Sequence, residues 1–316
     1  MIRRLDPRLA GLLAALVLLV VLNLVMTPNF LNLQTVAVNI SQVATIAIVA
    51  LGMTLVIASG GIDLSVGSVM AVAGALAPII FLSDWATANP GLGLAASIAV
   101  PLLVAALCGL FNGVLIALLG VQPIIATLIF FISGRGIAQV LTNGNLQTFT
   151  NPDFTWLGTG RLLGLPVQGW IALALTITIA LVVRRSLYGR YLLSVGGNER
   201  AATLAGVPVA RVKITTCVIA ATLAGLAGMI VVAQNSASDA ARIGQLMELD
   251  AIAAAVVGGA ALSGGRAPIF GALLGAVFIQ LMGYTLIANG ISDEMTLIVT
   301  AAIIVLAVWL QRGVRA

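Results

Sequence analysis

Asp63 is the only charged residue between Val36 and Leu82. It stands in the stretch IASGGIDLSVGSV, two residues after the pair Gly60 and Gly61 and two before Ser65. A glycine pair can turn a chain where a side chain would forbid it. A short carboxylate can then accept hydrogen bonds from the N–H groups of a new helix. Asp63 is therefore expected to accept from the backbone of Ser65 or Val66 and to open a helix. Two roles stay open for such a break. At a membrane surface it is a turn that restarts a helix. At greater depth, the free N–H groups of the new helix would line a pathway and could hold a hydroxyl of a passing solute. The charge distribution described below places it toward the cytoplasm, which favours the structural role.

Arg135, in SGRGIAQ, is the other charge inside an apolar run. It is expected either to snorkel toward the outer surface or to donate hydrogen bonds at the outer mouth of a pathway. Asn112, Gln122, Thr127, Gln139 and Gln280 are polar residues of the kind that bundle interiors use as interhelical glue. Pathway contact is the second reading for each.

A third group lies in YGRYLLSVGGNERAATLAGVPVARVK. Asn198 suits an N-cap, and Glu199 in the first turn complements the helix dipole. Gly206 suits the C′ position, and Pro208 enforces the stop. The predicted helix covers 199–205 and is about 10 Å long. Ala201, Ala202, Leu204 and Ala205 give it a small apolar surface. It either rests on lipid headgroups or docks into a groove on a cytoplasmic partner, and the residues alone leave both open.

Other chemistries are excluded or disfavoured by composition. There is no histidine, and Cys108 and Cys217 both fall in hydrophobic runs, where small buried hydrophobes are expected. A disulfide framework and a Cys/His metal site are not expected. No phosphate-cradling G-x-x-x-x-G-K-[ST] loop occurs. An enzyme is thus not expected, nor a cofactor held by this chain. The net charge of +5 calls for no nucleic-acid partner.

These residues must be positioned by elements that lie in lipid. The chain has 316 residues, 61% hydrophobic and 8% charged, where a soluble domain has about 25% charged. Its mean hydropathy is +1.17. Repeated apolar runs near the length of a bilayer crossing, without period-2 alternation, predict an all-α polytopic membrane fold. Ten spans are predicted: 9–26, 36–59, 65–82, 93–119, 123–141, 167–183, 214–233, 249–262, 267–287 and 295–310. They form one transmembrane domain over 1–316. The start, MIRRLDPRL, resembles a signal n-region, but no small-residue cleavage site follows Met26, so an uncleaved first span is expected.

With both termini in the cytoplasm, that side holds Arg3, Arg4, Arg8, Arg184, Arg185, Arg190, Arg200, Arg211, Lys213, Arg266, Arg312 and Arg315. The external loops hold only Arg161 and Arg242, which is a strong positive-inside bias. The same loops carry Asp84, Asp153, Asp239, Glu248, Asp293 and Glu294, an acidic outer face. Loop 142–166 is external and rich in turn formers, and loop 184–213 is cytoplasmic. GGIDLSVGSVMAVAGAL is echoed by MELDAIAAAVVGGAAL in the opposite sense, as an inverted repeat would be. Small residues make such matches cheap.

The motifs GGIDLSVGSV, GVQPIIATL, SGRGIAQ, VGGNERAATLAGV and LDAIAAAVVGG occur in order along nearly the whole chain. In them the chain resembles the permease subunit of ribose-type carbohydrate ABC importers. It is most similar to the galactofuranose-type subgroup, through GRGIAQ, the loop TF-NPDF-W-G-G and MELD. The resemblance implies about ten spans in a bacterial inner membrane and a second permease copy or paralogue. It implies two ATP-binding cassette subunits, carrying ATP and Mg, docked below, and a periplasmic sugar-binding protein docked above. It also implies that Glu199–Gly206, capped by Asn198, is the coupling helix. The near absence of charge within the spans fits a neutral monosaccharide. The alternative is an ion-coupled secondary transporter with broken helices, in which Asp63 carries a proton or sodium.

Overall fold

The computed structural model describes residues 7–313. Its helices, in chain order, are α1 (Pro7–Met26), α2 (Leu33–Ala58), α3 (Val66–Phe81), α4 (Asp84–Ala88), α5 (Pro90–Ala117), α6 (Pro123–Leu141) and α7 (Pro152–Thr159). They continue with α8 (Val167–Arg185), α9 (Leu187–Gly197), α10 (Glu199–Leu204), α11 (Val209–Asn235), α12 (Met247–Val257), α13 (Ile269–Ala288) and α14 (Asp293–Gly313). Four two-residue strands, β1 (Gln147–Thr148), β2 (Arg161–Leu162), β3 (Leu165–Pro166) and β4 (Ala237–Ser238), form two small ribbons. The fold is all-α and polytopic. Among the described residues, seven helices, namely α1, α2, α5, α6, α8, α11 and α13, are long and apolar enough to cross a membrane. Arg3, Arg4 and Arg315 of the expected basic face lie outside the described residues.

The centre is built from α2 and α11, which run antiparallel and bury most of their length. Small residues set the approach. A Cβ on Gly52 would lie 2.9 Å from the Ala220 Cα, and one on Gly113 would lie 2.8 Å from the Ile214 Cα. In lipid, association rests on such backbone proximity rather than on a hydrophobic drive. Cys108 and Cys217 are free and buried. At one end, β1 pairs antiparallel with β4, tying loop 142–166 to the segment after α11. Phe81, Phe149 and Phe154 cluster there, with ring centroids 4.8 and 4.9 Å from Phe81. At the other end, the Gly265 N–H donates to the Ala58 carbonyl at 2.9 Å.

Two expected spans are shorter than expected. α3 has 16 residues, about 24 Å of rise. α12 has 11 residues, about 16 Å, against a hydrocarbon core of about 30 Å. The predicted span 249–262 thus contains a helix that stops at Val257. The cause is the pair Gly258 and Gly259. Ala260 N–H reaches back to Ala255 O at 2.9 Å and Gly259 N–H to Val256 O at 2.9 Å, the bonds of a Schellman stop. The chain nevertheless passes from one end of the bundle to the other, because Ser238 sits in the ribbon and Gly265 beside Ala58. Residues 239–246 supply the missing length by dipping inward ahead of α12. Three short helices were not expected. α4 and α7 start at Ser83 and Asn151, whose side chains accept from Ala86 and Phe154 N–H. α9 starts at Ser186, which accepts from Gly189 N–H.

Candidate functional site

The first break is built as its residue types suggest, with one correction. α2 stops through Gly60 N–H to Ile57 O at 2.9 Å and Gly61 N–H to Val56 O at 3.0 Å. Gly60 has φ +88°, a left-handed conformation that glycine adopts without strain. Asp63, 1% exposed, then accepts at Oδ1 from Ser65 N–H at 2.8 Å and from Ser65 Oγ at 2.6 Å. The N-cap of α3 is Ser65, not Asp63, and its side chain makes no capping bond to the first turn. Ser65 already has helical φ and ψ, so the Asp63 carboxylate closes an Asx-type turn one step earlier.

Four expected residues meet here. Asn112 Nδ2 donates to Ser65 Oγ at 2.9 Å, and Leu64 N–H donates to Thr127 Oγ1 at 3.1 Å. Thr127 lies four residues into α6 and Asn112 five residues before the end of α5, each about 6–8 Å inside the bundle end. The break therefore lies below the end of the bundle, and is more than a surface turn. Among the described residues, Asp63 Oδ2 and Asn112 Oδ1 are buried without a hydrogen-bond partner.

Four expected residues are elsewhere. Gln122 is exposed at the start of α6, with no capping bond. Arg135 donates hydrogen bonds, as one of its two readings expected, and its acceptors are the chain's own carbonyls. Its Nη1 lies 3.2, 3.0 and 3.0 Å from the carbonyl oxygens of Ala240, Ala241 and Ile243, so it pins the inward-dipping segment. Gln280 acts as glue, donating to Gln42 Oε1 at 2.8 Å. Gln139 is exposed.

Glu248 was expected on the acidic outer face and is instead 4% exposed, with Oε2 unpaired among the described residues. It opens α12 against the first turn of α3. A Cβ on Gly67 would stand 2.7 Å from Glu248 Oε2. The N-termini of two short helices, α3 and α12, thus meet around one carboxylate, where both dipoles favour negative charge. The sequence signal was MELD, the start of the internal echo. It was missed because a carboxylate just before an apolar run usually marks a solvated boundary.

Loop 184–213 forms α10 within one residue of expectation. Asn198 Oδ1 accepts from Ala201 N–H at 3.0 Å. Val207 N–H to Ala202 O and Gly206 N–H to Thr203 O, both 3.0 Å, close the stop, with Gly206 at φ +79°. Lys213 Nζ holds Glu199 Oε1 at 2.7 Å. Ala202 faces inward at 5% exposure, whereas Leu204 is 90% exposed, with Ala201 and Ala205 beside it. The apolar surface is therefore split, and Ala202 belongs to the chain's own packing. Tyr188 ties α9 to α11 through Thr216 Oγ1 at 2.8 Å. Burial pushes its hydroxyl up to about 12. Between the first break and the root of α10 lies a cavity of about 270 Å³, lined by Gly60, Asp63, Thr127, Gly197, Glu199 and Lys213 among others.

The family described as the permease component of the branched-chain amino acid transport system matches residues 36–308. The galactofuranose transporter permease protein of Escherichia coli strain K12 is 40% identical over 272 residues, covering 86% of this chain and 78% of that protein. The ribose import permease protein of the same strain is 39% identical over 303 residues, covering 94% and 91%. The L-arabinose ABC transporter permease protein of Azospirillum brasilense is 34% identical over 271 residues, covering 86% and 75%. No solved structure matches the chain.

Proposed function

The chain belongs to the permease-component family of the branched-chain amino acid transport system, and from that premise we propose that it is the transmembrane permease subunit of an ATP-driven, binding-protein-dependent sugar importer. The cargo is a neutral monosaccharide of the ribose or galactofuranose kind. Relatives covering most of the chain are named for ribose, galactofuranose and arabinose. A neutral solute also suits a bundle with so few charges at membrane depth, since each charge there is costly and fixed to a task. ATP and Mg belong to separate cassette subunits docked at α10. A sugar-binding protein docks at the opposite end, a second permease copy or paralogue completes the pathway, and the assembly sits in the inner membrane with both termini cytoplasmic.

The observation that carries this reading is the mounting of α10. A capped, six-residue helix presents Leu204 outward and is rooted at Gly196 and Gly197. A Cβ on Gly196 would collide with the Ala58 carbonyl, and Gly264 and Gly265 close on the same two glycines. A push on α10 therefore reaches the ends of both helix breaks through backbone contacts with no soft side chain between. The ion-coupled reading of Asp63 loses ground, because its Oδ1 is committed to Ser65 and the relatives are named import permeases or an ABC transporter permease. The test is uptake of labelled D-ribose or D-galactose by vesicles holding this chain with its cassette and binding-protein partners. Uptake should need ATP and survive collapse of ion gradients. Uptake driven by a gradient without ATP would overturn the reading.

A further inference from the structure

We infer that the cavity between the first helix break and the root of α10 is an inner-side subsite for the monosaccharide, with Asp63 Oδ2 as its fixed acceptor. The inference rests on the sugar-permease reading. The cavity, about 270 Å³, has room for about nine waters, comparable with the dozen or so heavy atoms of one monosaccharide ring. Its wall mixes donors and acceptors. Lys213 and the Thr127 hydroxyl stand with Asp63, Glu199 and the backbone of Gly60, Gly61, Gly196 and Gly197. Hydroxyl groups, which both donate and accept, suit such a wall better than a single-signed ion does.

Asp63 supplies the second, independent observation. It lines the cavity, is 1% exposed, and has one oxygen fully engaged by Ser65 while Oδ2 has no donor among the described residues. A buried acceptor without a donor is costly, more so when charged. A sugar hydroxyl donating to Oδ2 removes that penalty. The charge opposite is already committed, since Lys213 holds Glu199. An anionic occupant would meet two carboxylates, and a cationic one would meet Lys213. Because Glu199 opens α10, a sugar seated here touches the root of the helix proposed to carry the force. Release into the cytoplasm and movement of α10 would then be coupled at one place.

The test uses Gly197→Cys, because a Cβ at Gly197 meets nothing within 4 Å and the residue lines the cavity. The full transporter is placed in inside-out vesicles, with Cys108 and Cys217 replaced by Ala. A membrane-impermeant thiol reagent is added with D-ribose, L-arabinose or D-galactose. A sugar at about three times its dissociation constant should slow labelling about fourfold, as simple occupancy requires. In Asp63→Asn, about fivefold more sugar should be needed, because the amide oxygen stays on Ser65, an NH₂ stands where the charged acceptor was, and the charge-assisted bond is lost. As a second readout, Ser59→Cys, which also lines the cavity and is half-buried, should be protected by the same sugar in the chain with native Gly197 and the same two replacements. If the vesicles transport sugar and neither thiol is protected, the subsite is refuted while the sugar-permease reading stands. If they neither transport nor protect, both fall. Protection unchanged by Asp63→Asn refutes the role of Asp63 Oδ2.

Discussion

The Ala58 carbonyl, at the last residue of α2, accepts from the N–H of Gly265, 207 positions later in the chain, at 2.9 Å. This bond joins the ends of the two broken segments of the bundle and lies directly beneath Gly196. A Cβ on Gly196 would collide with both partners. Gly196→Ala is therefore expected to destabilise the protein by about 1–3 kcal/mol, the range for overpacking a tight contact. Gly197→Ala, whose Cβ meets nothing within 4 Å, should change stability by less than about 0.5 kcal/mol. Thermal unfolding of the two variants in detergent checks the contrast. Equal loss in both would remove the glycine junction from the account.

The two apolar residues of α10 should separate by readout. Leu204 is 90% exposed and Ala202 5% exposed. Leu204→Glu is expected to leave thermal stability within about 0.5 kcal/mol, as surface substitutions do, and to abolish co-purification of the cassette subunit. Ala202→Leu should lower stability first, by about 1–3 kcal/mol. A Leu204→Glu transporter that still co-purifies with a coupled ATPase would show that α10 docks elsewhere.

Sidedness follows from the basic residues and the ribbon. Cysteines at Ser194 and Thr203, both exposed, should react only with reagent supplied to the cytoplasm. A cysteine at Thr150, exposed beside β1, should react only from the opposite side. Labelling of Thr150→Cys and Ser194→Cys from the same side would break the crossing order.

Arg135 makes its own prediction, because its guanidinium holds the segment that follows β4. Ser238 is fully buried and donates to Gly74 O at 3.0 Å. A cysteine at Ser238 should be nearly inert to external reagent. In an Arg135→Gln background it should react about tenfold faster or more, because bonds from a charged donor contribute about 1.5–3 kcal/mol. An unchanged rate would mean that the segment holds itself in place.

How much of this was legible in the sequence depended on the range of each signal. Asn198, Gly206 and the pair Gly60 and Gly61 act within five residues of chain, so their caps and stops could be read locally and formed as expected. The long apolar helices followed from composition and length. Glu248 was misplaced, and the acceptors of Arg135 were not foreseen, because their neighbours, Gly67 and the carbonyls of Ala240, Ala241 and Ile243, lie more than 100 positions away. No local pattern distinguishes a carboxylate at a membrane surface from one at the mouth of a half-length helix. Ala202 and Leu204 look equivalent as a small apolar patch until α9 and α11 cover one of them.

Asp63 gives the sharpest contrast. Its Oδ1 accepts twice from Ser65, and Ser65 Oγ in turn accepts from Asn112. Asparagine offers the same carbonyl oxygen at the same reach, so Asp63→Asn keeps the turn. It also places an NH₂ where Oδ2 now lacks a donor, and a buried amide is cheaper than a buried charge. Asp63→Ala removes the acceptor and leaves Ser65 N–H and Oγ–H unsatisfied, which costs about 1–3 kcal/mol for each buried group. The expectation is that Asp63→Asn matches or exceeds the parent protein in thermal stability. Asp63→Ala should lose about 2–6 kcal/mol and accumulate poorly in the membrane. Unfolding midpoints of the purified variants, with in-membrane abundance as a second readout, decide it. If Asn is as damaging as Ala to folding, the ionised charge itself holds the break, and the hydrogen-bonded turn described here is not what restarts α3.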